Sequence, residues 1–322
     1  MSLTALWNVI LDTYSEPQIQ FFGTMAVQLT CFWALSLFYI SLPYTFPKFS
    51  ARHKLQKEEK QPTKADLWEC FKVALRNQTF TWILQGADLW YSSKQGKQGD
   101  LRFDRALPGL GEVLQELILA SIMREIMFYY VHRLLHTKTL YPIFHKKHHK
   151  FVFQIVVRLT YLTEILLSRF TAPVALAGQY ATFTEHLFAN VAPVIIPCTI
   201  MKSHAVTMYL FLAKELIAAS TTHSGYDFLN GWARFHDMHH EKFNVAFGSL
   251  GLMDILHHTD GKEILEKKKA DAQKIRALAW DRQQARQAAL VGLIGEEPGI
   301  LTLKSDVITE DSEGISGYLK TT

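Results

Sequence analysis

The sequence predicts an all-α protein: an integral membrane helical bundle with a histidine-rich, di-metal cap on its cytosolic side. Apolar residues make up 48% of the 322 positions and are concentrated in runs long enough to cross a bilayer. Nine of the fourteen histidines fall in three clusters, which indicates metal ligation rather than scattered surface histidines. The net charge of +4 is small, and no basic stripe is present, so no nucleic acid is expected as a partner. The three cysteines, Cys31, Cys70 and Cys198, lie far apart and predict no disulfide framework.

The first predicted membrane helix covers residues 19–42. This run contains no charged residue over about the 20 positions that a transmembrane helix needs. We expect it to end at Pro43, because proline disrupts a helix interior. Lysines and an arginine dominate residues 48–64, and this positive charge places that side in the cytosol and the N-terminus in the lumen.

The next predicted helix, residues 66–91, is weaker because Lys72 and Arg76 interrupt its apolar pattern. We interpret it as a tilted or half-inserted helix. A glycosylation sequon begins at Asn77, but this segment starts on the predicted cytosolic side, so we expect no glycan there. Residues 92–109 are rich in glycine, serine and charged residues and predict a polar loop.

A long apolar helix is predicted over residues 110–136, and it carries His132 and His136 one helical turn apart. Glu125 is seven residues before His132 and therefore lies on nearly the same face. We expect Glu125 to be a catalytic or supporting group that hydrogen-bonds a ligand imidazole. The alternative interpretation is an ion pair between Arg124 and a glutamate that holds helices together.

The histidine clusters share a spacing. An H-x3-H pair is followed by an H-x2-H-H triplet, and the same triplet returns about ninety residues later. Each neutral imidazole offers one nitrogen lone pair to a cation while its other nitrogen is fixed by a hydrogen bond. Nine ligands exceed the about four that tetrahedral zinc takes, so two metals are the natural count; imidazole alone does not choose among iron, copper, nickel and zinc. The candidate ligands are His132, His136, His145, His148, His149, His223, His236, His239 and His240.

Two further apolar stretches, residues 171–200 and 204–222, predict a helical hairpin in the bilayer. With this hairpin, the helix at 19–42 and a return pair at 66–136, all histidine clusters emerge on the cytosolic side. From residue 261 the chain becomes charged and alanine-rich, which predicts a surface amphipathic helix followed by a mobile acidic tail.

The segments HRLLH, HKKHH, HSGYD and HDMHH, in this order, resemble the histidine boxes of the fatty acid hydroxylase superfamily, also called the sterol desaturase family. Members of that family are membrane non-haem di-iron enzymes. HSGYD and FGSLGLMDILHHTDG resemble most the C-4 methylsterol oxidase branch. The resemblance covers residues 110–260 and implies a catalytic domain there, flanked by N-terminal anchor helices and a loop in 1–109 and by the helix and tail of 261–322.

The resemblance implies that the nine histidines bind two iron ions, with O2 as co-substrate. Electrons would come from NAD(P)H through an external carrier, cytochrome b5 and its reductase, at the endoplasmic reticulum membrane. Asp227, one turn after His223, is a candidate tenth ligand or supporting group; a helix cap or another hydrogen-bonding role is the alternative. The implied substrate is a sterol, triterpenoid or related lipid, and the enzyme would be an O2-dependent monooxygenase. Fatty acyl or sphingoid hydroxylation, desaturation, and an inactive relative or membrane metal-binding protein stay open.

The chain departs from the family pattern at three places. Thr182 and Phe183 replace a His-Pro pair that the family commonly has before the glutamate at 185. His258 stands where the terminal motif usually has glycine, and we expect it to be a loop residue. Residues 152–170 have no counterpart in the family pattern. They form either an extra membrane-surface helix at the substrate entrance or an artefact of the gene prediction.

Overall fold

A computed structural model describes residues 1–55, 61–97, 99–151, 174–227 and 232–264, with single positions as far as 284. In these residues the regular elements are all helical and pairing of extended chain is limited to two isolated bridges, so the all-α prediction is confirmed. Met1–Gly261 form one compact unit and Lys262–Thr322 a second one. The apparent insertion at 152–170 and most of the predicted amphipathic helix and tail lie outside the described residues.

The described part of the first unit consists of α-helices and of shorter helical turns between them. A π-helical turn covers Tyr141–His145, and 3-10 turns cover His148–Phe151 and Ala175–Gln179. The helices are α1 (Leu3–Thr13), α2 (Glu16–Thr45), α3 (Pro47–His53), α4 (Lys64–Lys94), α5 (Leu110–Leu135), α6 (Phe183–Met201), α7 (Ala205–Thr222), α8 (Trp232–Lys242) and α9 (Leu252–Leu256).

Helix α2 contains the predicted segment 19–42 but does not end at Pro43. Its last residue is Thr45, and the amide of Phe46 still donates to the carbonyl of Leu42 at 2.8 Å. Pro43 removes one helical hydrogen bond, and this loss is tolerated because it falls in the last turn. The prediction that proline terminates this helix was therefore wrong by two residues.

Helix α4 is one continuous helix of 31 residues and contains the predicted segment 66–91. At about 1.5 Å per residue it is about 46 Å long. Among the described residues, two helices are long and apolar enough to cross a membrane, and these are α2 and α6. The charged residues of α4 keep it outside that set, and its predicted tilt stays a prediction.

The predicted helix at 110–136 is confirmed as α5. In the predicted hairpin, the stretch 204–222 forms α7, but α6 covers only residues 183–201 of the first stretch, because a 3-10 turn and a loop precede it. Residues 171–173 lie outside the described residues, and the placement of the hairpin in a bilayer stays a prediction. The hairpin turns at Lys202, which has a left-handed backbone with φ of 49°. The loop between α4 and α5 is tied to this turn, since the amide of Arg102 donates to the carbonyl of Ser203 at 3.0 Å. All three cysteines are free thiols, as predicted.

The core lies between the long helices. One apolar cluster joins Phe32 of α2 to Cys70 of α4, and another joins Ala120 of α5 to Cys198 of α6 and Phe211 of α7. This packing brings the C-terminal ends of α5 and α7 close to α8. Histidines lie at or next to both of these ends and within α8.

Candidate metal centre

The nine predicted histidines converge into two adjoining groups. In each group one candidate ligand atom per residue lies within 4.8 Å of the others. The first group holds five histidines and the second holds four. They are His132, His136, His145, His149 and His239 in group one, and His148, His223, His236 and His240 in group two.

Group one begins at the C-terminal end of α5, where His132 lies in the last turn and His136 caps the helix. The spacing of four between His145 and His149 would suit one continuous helix, but these two histidines lie in separate helical turns. His145 ends a π-helical turn, and His149 lies in a separate 3-10 turn. The break between these turns still leaves His145 and His149 in group one and directs His148 to group two.

The remaining ligand candidates come from α7 and α8. His223 caps the C-terminus of α7. Helix α8 carries three of the histidines. His239 belongs to group one, and His236 and His240 belong to group two. The groups adjoin, since the ring centroids of His149 and His240 are 4.5 Å apart. Two adjoining groups of candidate ligands are the arrangement that two neighbouring metal ions would need.

Backbone carbonyls hold the outer nitrogen of several rings. The Nδ1–H of His132 donates to the carbonyl of Phe247 at 2.7 Å, and that of His239 donates to the carbonyl of Val245 at 2.7 Å. The Nδ1–H of His223 donates to the carbonyl of Ala219 at 2.8 Å. A carbonyl accepts only, so each ring has its proton on Nδ1 and a lone pair on Nε2.

The inner nitrogens of the two groups face one another at short range. The Nε2–Nε2 distance is 3.1 Å for His132 and His145, and 2.8 Å for His223 and His236. Two facing lone pairs repel unless a cation lies between them. Neighbouring ligands at about 2.1 Å from one metal have nitrogens about 3.0–3.4 Å apart, close to the observed values. The Nε2 of His239 is also buried without a hydrogen-bond partner, so these residues fit a pair of metal ions.

Burial keeps the imidazoles neutral. It lowers the pKa of His148 to about 3, an effect that the neighbouring His223 increases. Burial likewise lowers the pKa of His136 and of His223 to about 4. A neutral imidazole has the free lone pair that a metal needs, so the protein prepares these rings for ligation near neutral pH.

Glu185 is a site residue that sequence reasoning missed. Its Oε1 accepts a hydrogen bond from Nδ1 of His145 at 2.6 Å, and both side chains are buried. Thr182 caps the start of α6 by accepting from the amide of Glu185, and its hydroxyl donates to the carbonyl of Phe144 at 2.9 Å. The replacement of His-Pro by Thr182 and Phe183 therefore leaves an ordered helix start. A lone carboxylate opening an apolar helix was the available signal.

Glu125 is buried, but the predicted hydrogen bond from Glu125 to a candidate ligand imidazole does not form. Its carboxylate accepts from the amides of Ser249 and Leu250, both at 2.8 Å, and from the Ser249 hydroxyl at 2.9 Å. The expected geometry failed because a distant loop folds over this face of α5. The alternative ion pair is present as well, since Arg124 lies 2.7 Å from Glu215 of α7.

This loop, residues 245–251 before α9, positions two histidines through the carbonyls of Val245 and Phe247. Asp254 holds the loop in turn by accepting from the amides of Phe247 at 2.8 Å and Gly248 at 2.7 Å. A side chain on Gly248 would overlap the Glu125 carboxylate. In the stretch FGSLGLMDIL, Asp254 and Gly248 were the sequence signals for a loop held in this position.

Asp227 lies outside both histidine groups, and in the described residues neither group contains a carboxylate. The structure thus does not place Asp227 as a tenth ligand, because α7 ends at Thr222 and Asp227 lies beyond the turn that follows. His258 lies in a turn with φ of 55°, which confirms it as a loop residue. His257 stacks on Tyr129 with ring centroids 5.1 Å apart, away from both groups.

Comparison with known proteins identifies the family. The family model named Fatty acid hydroxylase matches residues 117–259, a range that contains all nine histidines. The chain is 31% identical to human Fatty acid hydroxylase domain-containing protein 2 over 262 residues, which are 80% of this chain and 72% of that protein. It is 29% identical to Fatty acid hydroxylase ahd1 of Mycosarcoma maydis, over 87% of this chain and 67% of the relative.

A third relative extends the range. The chain is 26% identical to Methylsterol monooxygenase 1 of Gallus gallus, over 84% of this chain and 86% of that protein. No solved structure matches the chain. The extent of these alignments, together with the family match across every histidine box, shows that the chain belongs to the fatty acid hydroxylase superfamily, also called the sterol desaturase family.

Proposed function

We propose that the protein is a membrane-bound di-iron monooxygenase that hydroxylates a sterol, triterpenoid or related terpenoid lipid in the manner of a C-4 methylsterol oxidase. The family and its methylsterol monooxygenase members support an oxygenase that acts on lipids. The observation that carries the proposal is the pair of adjoining all-imidazole groups whose Nε2 atoms face inward.

The family is generally iron-dependent, so iron is the proposed metal of both groups. Group one would hold one ion with five imidazoles and group two the other with four. When bound, the two irons would supply the redox chemistry that oxidises an unactivated C–H bond, which side-chain acids and bases cannot do. The protein's own part is to fix the Nε2 atoms through backbone carbonyls and Glu185, and to exclude water by burying the rings.

Dioxygen is the proposed co-substrate, and NAD(P)H is the proposed electron source. Hydroxylation places one oxygen atom in the lipid and reduces the other to water, which consumes two electrons and two protons. The sequence has no dinucleotide-binding fingerprint. A separate carrier, cytochrome b5 with its reductase, is therefore the proposed partner that delivers the electrons.

The substrate class rests on the relatives. The avian relative is named a methylsterol monooxygenase, and the HSGYD box resembles that branch. The fungal relative is named a fatty acid hydroxylase, which supports fatty acyl or sphingoid hydroxylation as the second candidate function. Sterol desaturation and a non-enzymatic metal-binding role are the remaining alternatives.

The proposed location is the endoplasmic reticulum membrane, with several crossings and the histidine groups in the cytosol. In the part of the chain that the structure describes, α2 and α6 are long and apolar enough for a span. Large apolar side chains also face outward, including Leu37 and Phe38 at 52% exposure, Ile118 at 60% and Ile200 at 65%. Exposed apolar surface on several helices supports contact with lipid rather than water.

Purified full-length protein in detergent tests the proposal. We expect about two irons per chain by elemental analysis, in line with two ligand groups. With NADPH, cytochrome b5 and its reductase, dioxygen uptake should depend on a sterol that carries methyl groups at C-4, and mass spectrometry should detect the oxygenated product. Uptake that responds only to a fatty acyl or ceramide substrate would move the function to the second candidate. Bound metal without any uptake would support the non-enzymatic alternative.

A further inference from the structure

A cavity lies inside the helix bundle, between α2, α4, α6 and α7, apart from the metal groups. It encloses about 1020 Å³ of empty space, counting its opening. None of the nine metal-group histidines lines it.

One wall of the cavity is polar and uncharged. Helix α2 contributes Gln20, Thr24 and Gln28, which repeat every four residues and so share a face. Helix α4 contributes a second stripe that contains Gln78 and Gln85. The hydroxyl of Thr24 donates to Oε1 of Gln85 at 3.0 Å, which joins the two stripes.

Helices α6 and α7 contribute apolar side chains, Val194 and Met208 among them, and α6 also contributes polar residues such as Asn190. The charged residues at the cavity are Arg124 and Glu215, and they lie 2.7 Å from each other. Because this pair neutralises itself, the cavity offers no unpaired cation to a carboxylate or phosphate among its described lining residues. The lining therefore fits an uncharged molecule with a hydrocarbon body and a small polar group.

Two buried acceptors in the polar wall lack partners. Oε1 of Gln78 and Oε1 of Gln179 are buried and accept no hydrogen bond in the described structure, and their side chains line the cavity. An unsatisfied buried polar group costs about 1–3 kcal/mol. In this conformation protein atoms cover both oxygens, so a ligand hydroxyl would donate to one of them after the glutamine side chain turns toward the cavity, and this hydrogen bond would remove that cost.

We propose that this cavity is a second lipid site, which binds an uncharged lipid with a hydroxyl group, either a sterol or a long-chain alcohol. The ligand would enter from the bilayer, because α2 and α6 line part of the cavity and, among the described helices, are suited to span a membrane. Its hydroxyl binds Gln78 or Gln179, and its hydrocarbon body packs against the wall of α6 and α7. The site does not depend on the proposed oxygenation.

The site borders group two without opening into it. Gly178 lines the cavity, and a methyl group at that position would lie 3.5 Å from Nδ1 of His223. His223 directs this nitrogen toward the carbonyl of Ala219 and its Nε2 toward His236. The ligand would thus lie behind the His223 ring, on the side opposite the metals.

Equilibrium binding to the full-length protein in nanodiscs tests the proposal. The probes are tritiated cholesterol and tritiated octadecanol, with cholesterol methyl ether and stearic acid as competitors that lack the neutral hydroxyl donor. We expect saturable binding of at least one hydroxyl probe, equal in metal-loaded and metal-stripped protein. Gln78→Leu should weaken it about three- to tenfold, the effect of one lost hydrogen bond. Gln115→Leu, at an exposed position of α5, is the matched control and should bind normally.

Several results would overturn the site. Equal competition by cholesterol methyl ether would show that no hydroxyl is recognised, and stronger competition by stearic acid would show an anion site. Binding that disappears in His236→Ala or on metal removal, but survives in Gln78→Leu, would place the probe at the metals. If neither hydroxyl probe binds saturably, and gel filtration shows that the protein is folded, the cavity is not a lipid site. Preferential binding of cholesterol or of octadecanol identifies which lipid is the ligand.

Discussion

Nδ1 of His145 lies 2.6 Å from Oε1 of Glu185, and both side chains are buried. Glu185 is thus a carboxylate that hydrogen-bonds a ring of group one. A carboxylate partner makes the imidazole a stronger ligand and fixes the direction of its Nε2. The contact joins the start of α6 to the first metal group.

Glu185→Gln should therefore weaken metal binding, by about tenfold, and Glu185→Leu by up to about a hundredfold, since loss of such a partner typically has this effect. Glutamine keeps an acceptor and should be the milder change. Iron retention during competition with a chelator measures the effect. Glu112→Gln, at the solvent-facing start of α5, is the control. Equal retention in all variants would contradict the role of Glu185.

His145→Ala or His239→Ala should abolish activity and remove the metal of group one, because each deletes one of its five ligand candidates. We expect iron to fall from about two per chain toward one or none. His53→Ala, an exposed histidine outside both groups, should keep full iron and activity. Turnover retained in either group-one variant would refute the di-iron assignment.

Glu125→Ala should destabilise the protein by about 3 kcal/mol or more, because several amide and hydroxyl donors of the 249–253 segment would lose a buried acceptor. The loop would also release the Phe247 carbonyl that orients His132. Thermal unfolding in detergent measures the loss, with Gln115→Ala on the exposed face of α5 as control. An unchanged unfolding midpoint would show that the loop does not need this anchor.

The metal-stripped protein should lose stability as pH falls below about 6.5. Burial lowers the pKa of His223 to about 4 and that of His148 to about 3, both from 6.5, so the unfolded chain binds more protons in the interval. Stability therefore rises with pH there and is complete above about 6.5. Unfolding midpoints between pH 7 and pH 4 test this, with metal-loaded protein as the comparison. A flat profile for stripped protein would contradict the burial of these rings.

Asn77 should carry no glycan, as the sequence predicted from topology, and the structure adds a second reason. Its side chain is fully buried, and its amide nitrogen donates to the carbonyls of Gln179 and Ala181, both at 3.1 Å. Asn77→Ala should therefore lower stability by about 1–3 kcal/mol. Thr79→Ala destroys the same sequon at an exposed position and should be neutral. A glycosidase-sensitive mass shift in the natural chain would contradict this arrangement.

The histidines of the site could be predicted from sequence because metal ligands leave a local record in their spacing. Their division into two groups could not, since it depends on a break in the helix between His145 and His148 and on how α8 faces both groups. The long helices followed from apolar runs. The end of α2 did not, because a proline in the last turn costs little.

The residues that hold the histidines in place could not be predicted from sequence, because their contacts also depend on tertiary packing. Glu125 was correctly singled out as a costly carboxylate, but its partners are 124 or more positions away and are backbone amides, which any residue provides. The same holds for the Phe247 carbonyl, 115 positions from His132. Contacts to backbone amides and carbonyls are set by tertiary packing, and the sequence marks only their side-chain partners, such as Glu125 and Asp254.

The division of α8 between the groups also governs how the protein is made. Group one contains His132 and His239, so its ligand set is incomplete until the ribosome has released more than a hundred further residues. On the proposed di-iron function, each metal would close a long loop of chain that hydrophobic packing must first bring together. Metal binding to group one would then follow the synthesis of α8, and iron limitation during synthesis should lead to accumulation of a metal-free chain.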